Sequence, residues 1–222
     1  MDKVMQEMGK TVFMTERVRV GQLILGPFET NAYVLVCLKT RCSLLVDAPG
    51  EPERILSALS GTFPQGILMT HSHSDHVGAL ARLRLERRLP VAAHPEDASA
   101  LPVPADSLLH DGDRIPCGAL EIGVLHTPGH TPGSLCFHME GLLFSGDTLF
   151  PGGPGRTGSP EDFRRILESL RTRIFPLPDD VRVFPGHGEG TVLSRERVLF
   201  QAFCARGYSP ALCGDVVWEE TP

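Results

Sequence analysis

Short apolar runs separated by turn-formers dominate the chain, and their period decides the elements. Segments 17–25, 32–38 and 43–47 are rich in β-branched and aliphatic residues, broken by Gly26-Pro27 and by the charged step Lys39-Thr40-Arg41. They predict a meander of strands. Residues 51–60 place Ile55, Leu56 and Leu59 at helical spacing, with Gly61 as the closing C-cap. A strand over 66–70 leads into a helix over 76–88, where Val77, Leu80 and Leu83 form one apolar stripe. The second half repeats this logic with strands at 120–126, 134–139, 141–145 and 181–185 and a helix at 161–173. Ser159-Pro160-Glu161-Asp162 starts that helix with an N-cap, a proline at the first helical position and an acid in the first turn. A further helix over 194–206 opens the tail, which turns irregular at Gly207-Tyr208-Ser209-Pro210 and ends in Val216-Val217-Trp218. Trp218 is read as a packing residue in preference to a dimer contact; Tyr208 is a candidate pocket residue.

Two halves of strands and helices are expected to pack as two mixed β-sheets face to face with helices outside, an α/β chain forming an αββα sandwich. At 222 residues the expectation is one domain over 1–222, with its core at about 18–191 and a short helical tail at 192–222. Loops from both halves would then meet at one edge.

Those loops carry the chemistry. Directly after Gly66-Ile67-Leu68-Met69-Thr70 comes His71-Ser72-His73-Ser74-Asp75-His76, three imidazoles and a carboxylate in six residues. Such groups bind zinc and similar divalent ions. Residues two apart in extended chain project to one side, so His71 and His73 can share an ion while Asp75 and His76 face a neighbouring one. A solvated His-rich loop is the plainer reading. It loses weight because further donors stand at other strand ends: His130 in Thr127 to Ser134, Asp147 in Ser145-Gly146-Asp147-Thr148, and His187 in Phe184-Pro185-Gly186-His187-Gly188.

From about Val18 to Thr191 the sequence resembles the metallo-β-lactamase-fold hydrolases, and among them the glyoxalase II-like branch. The resemblance rests on the HxHxDH motif at 71–76, the histidine of TPGHTPGS, the aspartate of SGDTLF and the histidine of FPGHG. It implies that His71, His73 and His130 bind a first metal, that Asp75, His76 and His187 bind a second, and that Asp147 bridges both. Asp75 and Asp147 are the candidate catalytic residues, Asp75 because a carboxylate beside a shared water can also orient it or carry away its proton. Two divalent ions are expected, zinc first, with iron and manganese compatible with the same donors. Asp47 stands where the family places an aspartate near the metals, and is expected to support the site without binding an ion.

A hydroxide held between two cations attacks an electrophilic carbonyl, and a thioester suits it, since a thiol of pKa about 8.5 leaves without a dedicated acid. The resemblance therefore implies hydrolysis of a thioester of a small thiol, acyl-glutathione or a similar carrier. Only about thirty-five residues follow His187, whereas full-length glyoxalase II has a helical carboxy-terminal region that helps bind glutathione. Arg156 matches a basic substrate-contacting position of the family, but Gly158 stands where a tyrosine contact is common. The stretch from Leu149 to Gly155 resembles short bacterial members linked with other thiols, mycothiol among them. A second reading is a mononuclear iron dioxygenase acting on a persulfide through His71 or His73, His130 and Asp147. Lactone or β-lactam hydrolysis on the same fold is a third, and a non-catalytic binding scaffold is opposed by the intact donor set.

Composition narrows the partners. A net charge of −6 argues against nucleic acid, which demands a basic face, and Arg82, Arg84, Arg87 and Arg88 read as a solvated face. The expected partner is a small molecule, in a monomer or homodimer. With no export signal over Met1 to Lys10 and no bilayer-length apolar run, the expectation is a cytoplasmic protein away from membranes. Six cysteines without a C-x-x-C pair are expected to be free thiols, with Cys37 and Cys136 in the core. His94, His110, His126 and His138 are read as packing or surface residues, though His126 is placed to orient a ligand.

Overall fold

The computed structural model describes residues 9–219; most of the segment read above for an export signal lies outside them. The predicted meander is realised within a seven-stranded sheet. Its strands are β1 (Lys10–Met14), β2 (Val18–Leu25), β3 (Thr30–Cys37), β4 (Cys42–Val46), β5 (Phe63–Leu68), β6 (Val91–Ala93) and β7 (Ser107–Leu108), in that spatial order. Neighbours are antiparallel through β4 and parallel from β4 onwards. The change follows from the connections, because parallel neighbours need a crossover. Helix α1 (Pro52–Ala58) crosses before β5, α2 (Ser74–Val77) and α3 (Leu80–Arg87) before β6, and α4 (Pro95–Ala98) before β7.

The second sheet has six strands. It contains β8 (Arg114–Cys117), β9 (Leu120–His126), β10 (Leu135–Met139) and β11 (Leu142–Gly146). A separate ribbon of β12 (Leu149–Phe150) and β13 (Gly153–Pro154) follows, then helix α5 (Pro160–Ser169). The sheet is completed by β14 (Arg182–Pro185) and β15 (Thr191–Val192), and α6 (Leu193–Arg206) packs behind it. The pairing of β11 with β14 is parallel, so this sheet is mixed too.

Strand period 2 builds the layers. On β3, Tyr33, Leu35 and Cys37 pack between the sheets with Ile122, Phe137 and Phe144. Val34 and Val36 turn the other way, into a cluster with Ile55 of α1 and Leu80 and Leu83 of α3. Every residue of β3 is buried, as befits a strand covered on both faces. A third cluster joins Cys136 and Leu143 to Phe163 and Ile166 of α5 and Phe200 of α6. The result is the expected αββα sandwich.

Several boundaries differ from expectation for local reasons. The predicted helix over 76–88 begins at Ser74 and is split between α2 and α3, because the Ala79 N–H donates to Ala48 O at 2.8 Å. That bond, with Ala48 N to His76 O at 2.9 Å, docks the segment on the loop after β4. Gly61 does not cap α1, which ends three residues earlier with Leu59 as its cap. The helix predicted over 161–173 starts at Pro160, capped by Ser159 Oγ, which accepts from Asp162 N at 3.1 Å. Its last turn, Leu170–Ile174, is a π-turn closed by Phe175 N to Leu170 O at 2.8 Å. Trp218 packs inside the chain, 1% exposed, against Phe200 and Phe203. Cys37 and Cys136 are buried, and all six cysteines are free. Among the described residues no helix is long and apolar enough to cross a membrane.

Candidate metal centre

The predicted donors follow the carboxyl ends of four strands: His71 and His73, then Asp75 and His76 on α2, after β5, His130 in the loop after β9, Asp147 after β11 and His187 after β14. The two sheets therefore deliver all seven residues to one edge of the sandwich. Donor atoms of His71, His73 and His130 lie within 4.8 Å of one another, and so do those of Asp75, His76 and His187. Asp147 lies between these groups, with Oδ1 3.4 Å from His76 Nε2 and Oδ2 3.5 Å from His130 Nε2 and 3.6 Å from His187 Nε2. Packing that tight excludes a side chain at Gly186, where a Cβ would stand 2.1 Å from Asp147 Oδ1.

Of the five buried side-chain atoms without a hydrogen-bond partner among the described residues, two, His71 Nε2 and Asp147 Oδ1, lie in this cluster. Buried polar atoms are rarely left so, and imidazole nitrogens and carboxylate oxygens crowded this closely call for positive charge among them. The donor set fits divalent cations on this ground. Burial holds the His71 imidazole well below its ordinary pKa, aided by the neighbouring His76, His130 and His73, so the ring is in the neutral form that a divalent ion requires of a ligand. Burial lowers His130 as well. Asp147 remains a carboxylate, because His76, His130 and His187 outweigh the upward push of burial. For His76, burial is overcome by Asp47 and Asp147, which push it up to about 10. These carboxylates favour a positive charge on that ring, whether a proton or a metal ion.

The outer nitrogens are held as well. Asp47 Oδ2 lies 2.8 Å from His76 Nδ1, while its carboxylate accepts from Thr70 N at 2.8 Å and Thr70 Oγ1 at 2.7 Å. His130 Nδ1 donates to Arg156 O at 2.8 Å and His187 Nδ1 to Phe28 O at 3.0 Å. Donation to a carbonyl fixes the tautomer and leaves Nε2 as the lone-pair atom facing the centre. Asp75 Oδ2 accepts from Thr30 Oγ1 at 3.2 Å and lies 3.2 Å from His187 Nε2. Arg156 thus reaches the cluster through its backbone; its guanidinium is 3.6 Å from Asp215 at the surface.

Sequence reasoning missed Asp97. It is buried at 3% exposure and accepts from Ser72 N at 2.8 Å, Gly133 N at 2.8 Å and Thr131 Oγ1 at 3.0 Å. It ties the loop of His71 and His73 to the loop of His130. Its only local signal, an acid at the start of a short helix, points to capping. Asp97→Ala strands three donors at ~1–3 kcal/mol each, so a loss of about 3 kcal/mol or more is expected in urea denaturation; an unchanged midpoint would disprove this tie.

His94, Glu96 and His126 form one more group with donor atoms within 4.8 Å. The two rings, however, stack 3.8 Å apart at 12°, so an ion in the plane of one lies out of the plane of the other. His94 Nδ1 already caps α4 by accepting from Glu96 N at 3.3 Å, and His126 Nε2 donates to Pro132 O at 2.9 Å. His94 is a cap and packing residue, as expected. His94→Ala should leave kcat/KM within about twofold while costing about 1 kcal/mol of stability, the usual loss of a cap; paired kinetics and thermal melts check both.

The family described as the Metallo-beta-lactamase superfamily matches residues 25–187. The hydroxyacylglutathione hydrolase GloC of Haemophilus influenzae is 32% identical over 176 residues, 69% of this chain and 83% of the relative. The crystal structure of TTHA1623 in a di-iron-bound form superposes with a TM-score of 0.71 at 37% identity, covering 79% of this chain and 96% of that one. ETHE1 from Myxococcus xanthus gives 0.75 at 27% identity, covering 86% of each.

Proposed function

We propose, because the chain belongs to the metallo-beta-lactamase superfamily and is a metallo-hydrolase of that fold, that it hydrolyses a thioester of a small thiol such as acyl-glutathione. The observation that carries this reading is the unpartnered, buried Asp147 Oδ1 between two groups of three donors. His71, His73 and His130 would hold one divalent ion and Asp75, His76 and His187 another, with Asp147 shared; such a pair polarises a carbonyl and lowers the pKa of bound water. Zinc is the first expectation, and the di-iron form of TTHA1623 makes iron the alternative.

The chain's own groups supply the rest. Asp75, whose carboxylate accepts from Thr30 Oγ1, would orient the attacking water and accept its proton. A cavity of about 130 Å³ opens beside Asp75, walled by Leu25, Pro27 and Phe28. Phe28 is 68% exposed there, an apolar surface for the acyl group. A thiolate leaves without a protonating residue, whereas an amine leaving from a β-lactam needs one. Arg156 offers its exposed guanidinium to an anionic carrier that displaces Asp215. The name of GloC supports a glutathione carrier, and a small-molecule substrate fits a cytoplasmic setting.

The test is thiol release from a panel of acyl thioesters, glutathione-based and simpler, by protein whose metal content has been measured. Hydrolysis selective for one carrier is expected. No release from any member by fully metallated protein refutes the thioesterase reading, and oxygen consumption with a persulfide would replace it by the mononuclear iron dioxygenase.

A further inference from the structure

His130 sits in a loop, and a loop histidine is aimed by whatever holds its outer nitrogen. Here that is the Arg156 carbonyl, 2.8 Å from Nδ1. Arg156 belongs to a stretch, Gly152 to Thr157, that is itself fastened to the end of the chain. Thr157 N donates to Gly214 O at 3.2 Å, Gly214 N donates to Thr157 O at 3.0 Å, and Trp218 N donates to Gly152 O at 2.8 Å. The fit is close: a Cβ on Gly153 would stand 2.4 Å from Val216 O. What fixes the chain end in turn is Trp218, whose ring lies 5.0 Å from Phe203 and 5.6 Å from Phe200 on α6.

We propose that the segment after α6 is a strap that aims His130, with Trp218 as its anchor and a positioning residue for the His71, His73 and His130 half of the centre. The inference rests on the reading that these residues hold a metal ion. Contacts run without a break from the aromatic pocket of α6 through Trp218, the backbone bonds to Gly152 and Thr157, and the Arg156 carbonyl to the imidazole. The other half is anchored elsewhere, His187 by Phe28 O and His76 by Asp47. Loosening the strap therefore acts on one half of the centre. A residue that merely packs would lower the stability of the whole protein and favour neither half.

Chelator competition with Zn²⁺ on the full chain separates these roles. Trp218→Ala is expected to weaken one of two ions by about tenfold or more, the loss usual when the partner that orients a ligand is disturbed, and Trp218→Phe to restore most of it. In a His187→Ala background, the weakened ion is the one that remains. Gly153→Ala, which pushes loop and strap apart without opening the aromatic pocket, should act in the same direction and covers a failure of Trp218→Ala to fold. Unchanged affinity for both ions alongside a lower melting temperature, or equal weakening of both, overturns the strap. Wild-type protein that binds neither Zn²⁺ nor Fe²⁺ overturns the metal reading and the strap with it.

Discussion

Asp147→Ala is expected to lower kcat/KM by about a hundredfold or more and to reduce the metal content of the purified protein. The carboxylate has an oxygen toward each group of donors, and it is the one carboxylate in the cluster so placed among the described residues. Alanine removes the negative charge that lies against His76, His130 and His187, so any cation between them loses both an oxygen ligand and the charge that offsets its own. Lewis-acid stabilisation of a transition state is worth several kcal/mol, and each ~1.4 kcal/mol is tenfold in rate; losing half of it already gives the stated effect. Asp147→Asn separates charge from shape. Its amide keeps one oxygen and should retain more metal than alanine but little activity. Steady-state kinetics with metal analysis of both variants check this, and full activity in Asp147→Ala would end the shared-carboxylate reading.

The donors were legible in the sequence because metal chemistry restricts residue type, and because strand ends flanked by glycine and proline mark where a loop must stop. His71 to His76 reads almost as a site by itself. The support around it was legible only in part. Asp47 follows a recognisable strand, but Asp97 resembles a helix-start acid, and its three bonds reach loops 25 to 36 residues away. Arg156 shows the limit most clearly: the sequence offers its guanidinium, while the structure uses its carbonyl, which every residue type possesses. The fold divides along the same line. Strands β2 to β5 carry enough apolar residues to announce themselves, whereas β1, β6 and β7 are short and take their identity from the neighbour they pair with. The break before α3 arises from a hydrogen bond to Ala48, 31 residues upstream, and no local pattern encodes it.

Asp47 brings together support of the site and strain in the backbone. It sits at φ 59°, in the left-handed region, and is 1% exposed. Backbone strain of this kind persists where surrounding bonds over-determine it, and here Thr70 N, Thr70 Oγ1 and His76 all converge on its carboxylate. Asp47→Ala strands all three and places a residue poorly suited to positive φ, so a loss of about 3 kcal/mol or more is expected from donors worth ~1–3 kcal/mol each. Asp47→Asn is the sharper experiment, because asparagine tolerates the left-handed region. Its oxygen can still accept from one donor, but the negative charge that raises His76 is gone. That variant should fold with a modestly lower melting temperature, while the Asp75, His76 and His187 half loses about tenfold or more in Zn²⁺ affinity, the range found for carboxylates that orient ligand histidines. Affinity at the His71, His73 and His130 half should change much less, although Thr70 Oγ1 also lies 3.0 Å from His71 Nδ1. Chelator titration of the two ions checks the asymmetry. It is the reverse of the one expected for Trp218→Ala, so the two variants compared side by side test whether each half of the centre is held by its own part of the fold.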